Sequence, residues 1–261
     1  MAEPAVLQSL LDRWHRYKAS DVDRLISPVD DMFERTAVKA EAEHHYLDVG
    51  VSAIELVTEA MLLARRVTLP RVLDFPCGGG RVTRHLVKFF DDSQISVSDI
   101  EREKQAFVVK QFGVKPVECP ADFSTPLPEQ YDLIFVGSLL SHLDSDLFAR
   151  ALDFFIMALA PEGILVLTTH GRFAATHVAA GRTMHDDPVL KAVHAFERTG
   201  FGYVEEGRTR YGVSYGGAFA SPEWTIRHIE TRPDAMILTY KERAWDNHQD
   251  ALIVQKLPKP Q

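Results

Sequence analysis

The hydrophobic pattern of this chain alternates between short apolar runs and amphipathic stretches from residue 71 to residue 169. The apolar runs predict five strands, at 71–75, 95–99, 117–119, 131–136 and 164–169. Between them, apolar residues at helical spacing predict helices at 81–90, 101–112 and 146–159. This alternation is typical of a parallel sheet that is covered by helices on both faces and binds its ligand at the carboxyl ends of the strands.

The two ends of the chain add further elements. Residues 6–18 and 52–66 carry apolar stripes that predict helices, and residues 235–240 and 251–257 predict two more strands. The connection between these last strands is too short for a parallel crossover, so they form an antiparallel pair. The predicted fold is α/β: a doubly wound, mostly parallel seven-stranded sheet with a terminal antiparallel hairpin, an N-terminal helical cap and an insertion after the fifth strand.

The segment between the fifth and sixth strands is too long for a simple crossover. It contains a capped helix, from Asp187-Pro188 to Gly200, and a strand-and-turn pattern from Tyr211 to Gly217. We expect a single domain over 1–261. Its parts are a helical cap (1–66), a cofactor-binding core (67–170), a substrate-covering insertion (171–233) and a terminal strand pair (234–257).

The composition of the chain argues against several classes of function. The 261 residues carry a net charge of −8, which argues against nucleic acid as a partner because phosphate contacts require a basic face. No apolar run approaches the ~18 residues of a membrane span, and no signal peptide is evident, so a cytoplasmic protein is expected. The only cysteines, Cys77 and Cys119, are interpreted as core residues of a reducing compartment. Paired histidines (His44 with His45, His185 with His194) lack matching ligands, and no metal site is predicted.

The first predicted strand runs into a glycine turn, Cys77-Gly78-Gly79-Gly80, and then into a helix. Glycines let the backbone approach a ligand with no Cβ in the way. A dinucleotide fingerprint would place its third small residue where Thr83 stands, so that pattern fails. The stretch instead resembles motif I of class I S-adenosylmethionine-dependent methyltransferases. Pro76 departs from that motif, since the family usually has its first glycine there, and proline fixes φ near −65°.

The resemblance implies a set of cofactor-binding residues. Asp74 and the turn would hold the methionine end of the cofactor, whose ammonium needs an acceptor and whose carboxylate suits helix N–H groups. Asp99, at the end of the second strand, would accept from the ribose hydroxyls, and Asp122 from the adenine amine. Ile100 and Phe123 would sandwich the ring. The expected cofactor residues are Asp74, Pro76, Cys77, Gly78, Gly80, Asp99, Ile100, Asp122, Phe123, Gly137 and Ser138.

A methyl transfer to a hydroxyl benefits from a general base, and histidine is the usual one. His142, His170 and His248 are predicted to lie at the ligand-facing edge of the sheet. The run from Ser138 to Leu143 is similar to the segment that places a histidine near the acceptor in small-molecule O-methyltransferases. The loop after the sixth strand is expected on the same side. There, Trp245 either offers a flat face to the acceptor or plugs the underside of the lid, and Asp250 either orients His248 or caps a turn.

The acceptor is expected to be a small molecule. Segments 46–50 and 245–250 are similar to parts of bacterial methyltransferases found among glycan-modifying enzymes, which favours a sugar hydroxyl. Alternatives are an N- or C-methyltransferase, an NAD-dependent oxidoreductase, and a non-catalytic scaffold that binds the cofactor. The oxidoreductase explains neither Asp122 nor the final hairpin.

Overall fold

A computed structural model describes residues 3–33, 38–182, 184, 187–208 and 212–258. His185 and Tyr211, which the sequence-based predictions named, lie outside these residues. The helices and one short 3₁₀ turn are α1 (Glu3–Ala19), α2 (Lys39–Leu63), α3 (Thr83–Phe89), α4 (Arg102–Phe112), the 3₁₀ turn Leu140–His142, α5 (Ser145–Ala158), α6 (Arg172–Ala179), α7 (Pro188–Thr199) and α8 (Pro222–Glu230). In the described part of the chain, no helix is long and apolar enough to span a membrane.

Seven strands form one sheet. They are β1 (Arg71–Phe75), β2 (Gln94–Val97), β3 (Lys115–Pro116), β4 (Tyr131–Val136), β5 (Leu159–Thr169), β8 (Ala235–Trp245) and β9 (Gln249–Lys256), in the order β3-β2-β1-β4-β5-β9-β8. β9 pairs antiparallel with both β5 and β8, so β8 runs parallel to β1–β5. Two further strands, β6 (Phe201–Arg208) and β7 (Ser214–Ala220), form a separate antiparallel hairpin. The predicted fold class is confirmed.

Local signals in the sequence account for several boundaries. α4 ends at Gly113, whose φ of 67° is the left-handed conformation of a C-cap, and α7 starts at Asp187, whose side chain accepts from the backbone of Val189. The third strand differs from its prediction at 117–119. It is only two residues long and ends at Pro116, although Val117 still donates to the carbonyl of Val97 (2.8 Å).

Other predicted boundaries were wrong for identifiable reasons. The fifth strand starts at Leu159 rather than 164, because Leu159 already pairs with Tyr131 across an irregular register. The second helix starts at Lys39 rather than 52. Gly50 falls inside it, so this glycine does not mark a break. Sequence patterns also missed α6, β6 and α8 in the insertion.

The core lies on the two faces of the sheet. One apolar cluster lies beneath α1, α2 and α3 and includes Trp245, and the other lies beneath α5 and contains the Phe148, Phe154 and Phe155 side chains. The N-terminal cap is fastened through Arg13, which donates to the carbonyl of Phe89 (2.9 Å) and to Asp92 (3.2 Å). Arg13 therefore ties α1 to the end of α3.

Gly50 fixes how closely α2 approaches α3. A Cβ at this position would stand 2.1 Å from Cδ2 of His85 and 2.7 Å from the carbonyl oxygen of Arg81. His85 is itself buried and its Nδ1 contacts the Tyr17 hydroxyl (2.7 Å), so the ring cannot swing away without losing that bond. The glycine therefore serves close packing.

This contact generates a prediction about stability. Alanine is favoured over glycine in a helix interior by about 0.5–1 kcal/mol, while overpacking a core costs typically about 1–3 kcal/mol. Because the contact includes backbone, we expect the steric term to win, so that Gly50→Ala lowers the free energy of unfolding by about 1–2 kcal/mol in urea titration. Glu55→Ala, at an exposed position of the same helix, should change it by less than about 0.5 kcal/mol. Equal or greater stability of Gly50→Ala would contradict the packing argument.

Candidate cofactor site and active site

A cavity of about 550 Å³ opens at the carboxyl ends of β1, β2 and β4. Every predicted cofactor residue except Gly80 and Asp122 lines it, and so does His142. Further walls come from the segment after α1 and from the β6–β7 hairpin, through Asp30, Asp31, Met32, Val213 and Tyr215. The position agrees with the rule that open parallel sheets bind ligands at this edge.

The glycine turn between β1 and α3 adopts a backbone that only glycine takes easily. Gly78 and Gly80 have φ values of 51° and 83°, and the Phe75-Pro76 peptide is cis. A Cβ on Gly78 would meet no atom within 4 Å, so this residue faces open space on the cavity side. A Cβ on Gly80 would stand 2.6 Å from the Phe112 ring, which explains why Gly80 packs against α4 instead of lining the cavity.

Asp99 ties the end of β2 to this turn. Its carboxylate accepts from the backbone N–H of Gly78 (2.8 Å) and from that of Glu101 (2.7 Å). Burial raises its pKa, and the two N–H donors oppose that shift. The side chain lines the cavity with further lone pairs, so it can accept from a ligand hydroxyl while it holds the turn.

Asp74 is buried at the end of β1 and accepts a hydrogen bond from the Thr83 hydroxyl (2.5 Å). Burial, reinforced by the charge of Asp99, raises its pKa to about 7 even though the Thr83 bond opposes the shift. Because this value lies above the ordinary one, ionising Asp74 costs folding free energy as pH rises towards about 7. A bound cation would remove that cost. Thr83, which breaks the dinucleotide pattern, thus has a structural role.

Only some of the residues predicted to contact the adenine line the cavity. Ile100 and Phe123 line the cavity, and the Phe123 ring packs against Phe154 (5.3 Å between centroids). Asp122 does not line it. Its carboxylate accepts instead from the backbone N–H of Ser124 (3.1 Å) at the surface, because the chain turns there.

Beyond β4, the backbone of Ser138 is held in a left-handed conformation by a buried polar network. Its φ is 60°, and its N–H donates to the Thr168 hydroxyl (2.9 Å). Gln249 accepts from Thr168 (2.7 Å) and donates to the Ser138 hydroxyl (2.8 Å), so β9 helps to hold this cavity wall. Gln249 carried no sequence signal, because only the tertiary pairing of β9 with β5 brings it here.

His142 is the one predicted base that lines the cavity. Its Nδ1 lies 2.8 Å from the carbonyl oxygen of Gly216 and its ring stacks on Tyr215, with centroids 4.8 Å apart. A carbonyl can only accept, so Nδ1 carries the proton and Nε2 is left as an acceptor. Burial lowers the pKa of His142, although the Gly216 bond opposes the shift. The ring is therefore neutral and correctly protonated for a base at neutral pH.

His170 and His248 lie close to each other and do not line the cavity. Their ring centroids are 5.3 Å apart, and His170 also packs near Phe219 (6.1 Å). Burial lowers the pKa of His170 to about 4, with smaller contributions from His248 and His142. The predicted Asp250–His248 pair is wrong: Asp250 accepts from the Tyr240 hydroxyl (2.8 Å) and the Arg243 backbone N–H (3.0 Å). Among the described residues, no His, Cys, Asp or Glu cluster could hold a metal ion.

Trp245 lies on the ligand side of the sheet, as the strand directions require, and lines the cavity. It is almost fully buried. Its Nε1 donates to the carbonyl of Val49 (3.1 Å), which fastens the end of β8 to α2. Its ring edge would lie 3.0 Å from a Cβ on Gly137, so the glycine is needed for this approach.

Sequence reasoning missed the contribution of the segment before α2. Asp30 accepts from the Tyr46 hydroxyl (2.5 Å), and a Cβ on Gly79 would stand 2.2 Å from the Asp30 carboxylate. Arg84 is fully buried and donates to the carbonyls of Asp23 (2.8 Å) and Gly80 (2.9 Å). This segment therefore closes over the glycine turn. The residues have no motif spacing, and Tyr46 alone carried a hint, through the flanking segment 46–50.

These residues fit a nucleoside that carries an amino-acid tail. Apolar side chains face the place of a base, a carboxylate that accepts hydroxyls follows β2, and a buried carboxylate follows β1. The open space at Gly78 lets the ligand approach the backbone closely. The donor set thus suits the predicted cofactor.

Comparison with solved structures shows the same fold. An S-adenosylmethionine-dependent methyltransferase from Clostridium acetobutylicum has 14% identity and a TM-score of 0.56, covering 80% of this chain and 92% of that one. CalS10, an amino pentose methyltransferase from Micromonospora echinaspora, has 14% identity and a TM-score of 0.55, covering 85% and 99%. An O-methyltransferase family protein from Burkholderia thailandensis has 12% identity and a TM-score of 0.53, covering 98% and 71%.

A comparison with curated proteins gives no match. A family profile described as a methyltransferase domain matches residues 26–206, more than half of the chain. The matched range includes β1 to β5, the glycine turn and His142. The chain therefore belongs to the methyltransferase domain family, as a class I enzyme whose cofactor is S-adenosylmethionine.

Proposed function

We propose that this enzyme methylates a hydroxyl group of a small molecule of the sugar class, with His142 as the general base. The observation that carries the proposal is the Gly216–His142 hydrogen bond, which leaves Nε2 unprotonated in a ring that lines the cavity. Bound S-adenosylmethionine supplies an electrophilic methyl group. The enzyme must then orient the acceptor, exclude water and remove one proton.

The cofactor position follows from the order of the cavity walls. Asp74 would accept from the ammonium group, Asp99 from the ribose hydroxyls, and Ile100 and Phe123 would flank the adenine. Asp122 is left out, because its carboxylate is taken up by Ser124. Gly137 and Ser138 would run beside the methionine chain, which supports an acceptor site at the adjoining Leu139–His142 segment.

The sugar class is supported by the walls at the acceptor end. Tyr215 lines the cavity beside His142, and an aromatic face packs well against the C–H side of a sugar ring. CalS10, which shares the fold, is an amino pentose methyltransferase. The β6–β7 hairpin, which contributes Val213 and Tyr215, would cover the acceptor, in agreement with the proposed role of residues 171–233.

A second candidate acceptor is an amine. Asp31 and Glu101 line the same cavity and are both bonded to Lys104 (2.8 and 3.2 Å), so the mouth carries more negative than positive charge. A protonated amine would be attracted to such a mouth. Turnover of matched sugars that differ only in one hydroxyl or amino group would distinguish the two acceptors.

A prediction about cofactor binding concerns Asp74. A carboxylate with a pKa of about 7 must ionise to bind an ammonium group, so the affinity for S-adenosylhomocysteine should rise with pH, by up to about tenfold per unit below pH 7. Above pH 7 this contribution should level off. Asp74→Asn keeps an acceptor for Thr83 and should bind more weakly, with a flatter pH dependence. Calorimetric titration from pH 5 to 8 measures both, and parallel curves for the two proteins would remove Asp74 from ammonium binding.

A prediction about catalysis concerns His142. His142→Gln can still donate to Gly216 but cannot act as a base, so kcat for a hydroxyl acceptor should fall by about 10²–10⁴ while affinity for S-adenosylhomocysteine is unchanged. In the wild type, kcat should fall only on the acid side of the ordinary histidine pKa, because burial lowers the pKa of His142. The matched variant His194→Gln, exposed on α7, should retain activity. An unchanged kcat in His142→Gln would contradict base catalysis by His142 and would mean that the enzyme acts by positioning the acceptor alone.

A further inference from the structure

Two arginines stand three residues apart after the glycine turn, and both contact the ring of Tyr46. The Arg84 guanidinium lies 5.0 Å from the ring centre and the Arg81 guanidinium 6.0 Å. Arg84 donates to five oxygen atoms, belonging to Asp23, Leu25, Tyr46, Gly79 and Gly80. Its hydrogen-bonding capacity is used within the protein.

Arg81 differs from Arg84 in its hydrogen bonding. Within the described residues its side chain makes no hydrogen bond and no ion pair, and it lies between the rings of Tyr46 and Trp245 (5.5 Å to the latter). It lines the cavity, and burial lowers its pKa. A guanidinium has five N–H donors, and leaving them without acceptors in a buried place is costly.

The acids that act on Arg81 from a distance are engaged elsewhere. Asp30 accepts from the Tyr46 hydroxyl (2.5 Å) and the Met32 backbone N–H (2.9 Å). Asp31 accepts from Lys104 (2.8 Å), and Asp246 pairs with His45 (3.5 Å). The donors of Arg81 are therefore available to a ligand in the cavity.

We propose that Arg81 binds the carboxylate of the cofactor's methionine end, an inference that rests on the proposed position of the cofactor. Arg81 follows Gly80 directly, and Trp245, on which it lies, is the side chain that approaches Gly137. The glycine turn and Gly137 both belong to the methionine end of the proposed cofactor position. The planar fork of a guanidinium matches a carboxylate with two parallel hydrogen bonds. Asp74 and Arg81 would then bind the two opposite charges of the tail.

The test compares two nucleosides that differ only in this carboxylate. The probes are S-adenosylhomocysteine and its decarboxylated analogue, which keeps the amino group. We expect wild-type protein to prefer S-adenosylhomocysteine by about 10- to 100-fold, the usual range for a charged hydrogen-bonded pair. Arg81→Gln should lose that preference because it weakens the binding of S-adenosylhomocysteine alone, and Arg81→Lys should lose part of the preference. Arg227→Gln, exposed on α8, is the matched control.

If Arg81→Gln weakens the binding of both nucleosides equally, or weakens the binding of neither, the proposal is overturned. An unchanged nucleoside affinity with a raised KM for the acceptor would assign Arg81 to an acidic acceptor and also overturn it. If Arg81→Gln does not fold, the wild-type preference and Arg81→Lys decide the question. Failure of the wild type to bind either nucleoside would instead refute the proposed cofactor position. Binding without turnover of any acceptor would refute only the proposed reaction.

Discussion

The hydrogen bond from the backbone of Gly78 to the carboxylate of Asp99 is the interaction on which the site depends. It joins the ends of two neighbouring parallel strands, and it fixes a turn whose positive φ values cost little because glycine occupies them. Arg84 extends this anchor by linking the turn to the backbone of residues 23 and 25. The cofactor turn and the N-terminal cap are thus held as one unit, so movement of the cap would move the turn.

Burial shifts the pKa values of the ionisable groups that line the cavity. Removing a charged group from water disfavours its ionised form, and the pKa of Asp74 rises while those of His142 and Arg81 fall. For His142 the effect keeps a base neutral. For Asp74 and Arg81 it means that the free protein holds charges whose desolvation only a ligand of opposite charge can offset. A zwitterionic tail would offset both at once, and this complementarity supports the proposed position of the methionine end.

Much of the core could be predicted because its signals are local. β1 and β4 are mostly apolar, α4 and α7 have capping residues, and the bounds of these elements agree with expectation to within one residue. The rest depends on contacts between distant segments. The second helix continues through Gly50, whose packing against His85 has no local signal, and Asp30 carries no motif. Asp122 stands at a suitable strand end, yet its own turn takes up its carboxylate. Side-chain direction in a loop is decided by local hydrogen bonds that strand order does not reveal.

The orientation of His142 comes from the insertion and not from the core. Gly216 lies in β7, and a Cβ there would stand 2.0 Å from the carbonyl oxygen of Val204 in β6, so the absence of a side chain permits the close pairing of this hairpin. That pairing sets the position of the carbonyl that fixes the tautomer of His142, and of the neighbouring Tyr215 ring that stacks on it. In the proposed function, the hairpin that lines the acceptor end also orients the base. An alteration of this hairpin that changed the acceptor would then also change the orientation of His142, so the proposal couples acceptor choice to catalysis.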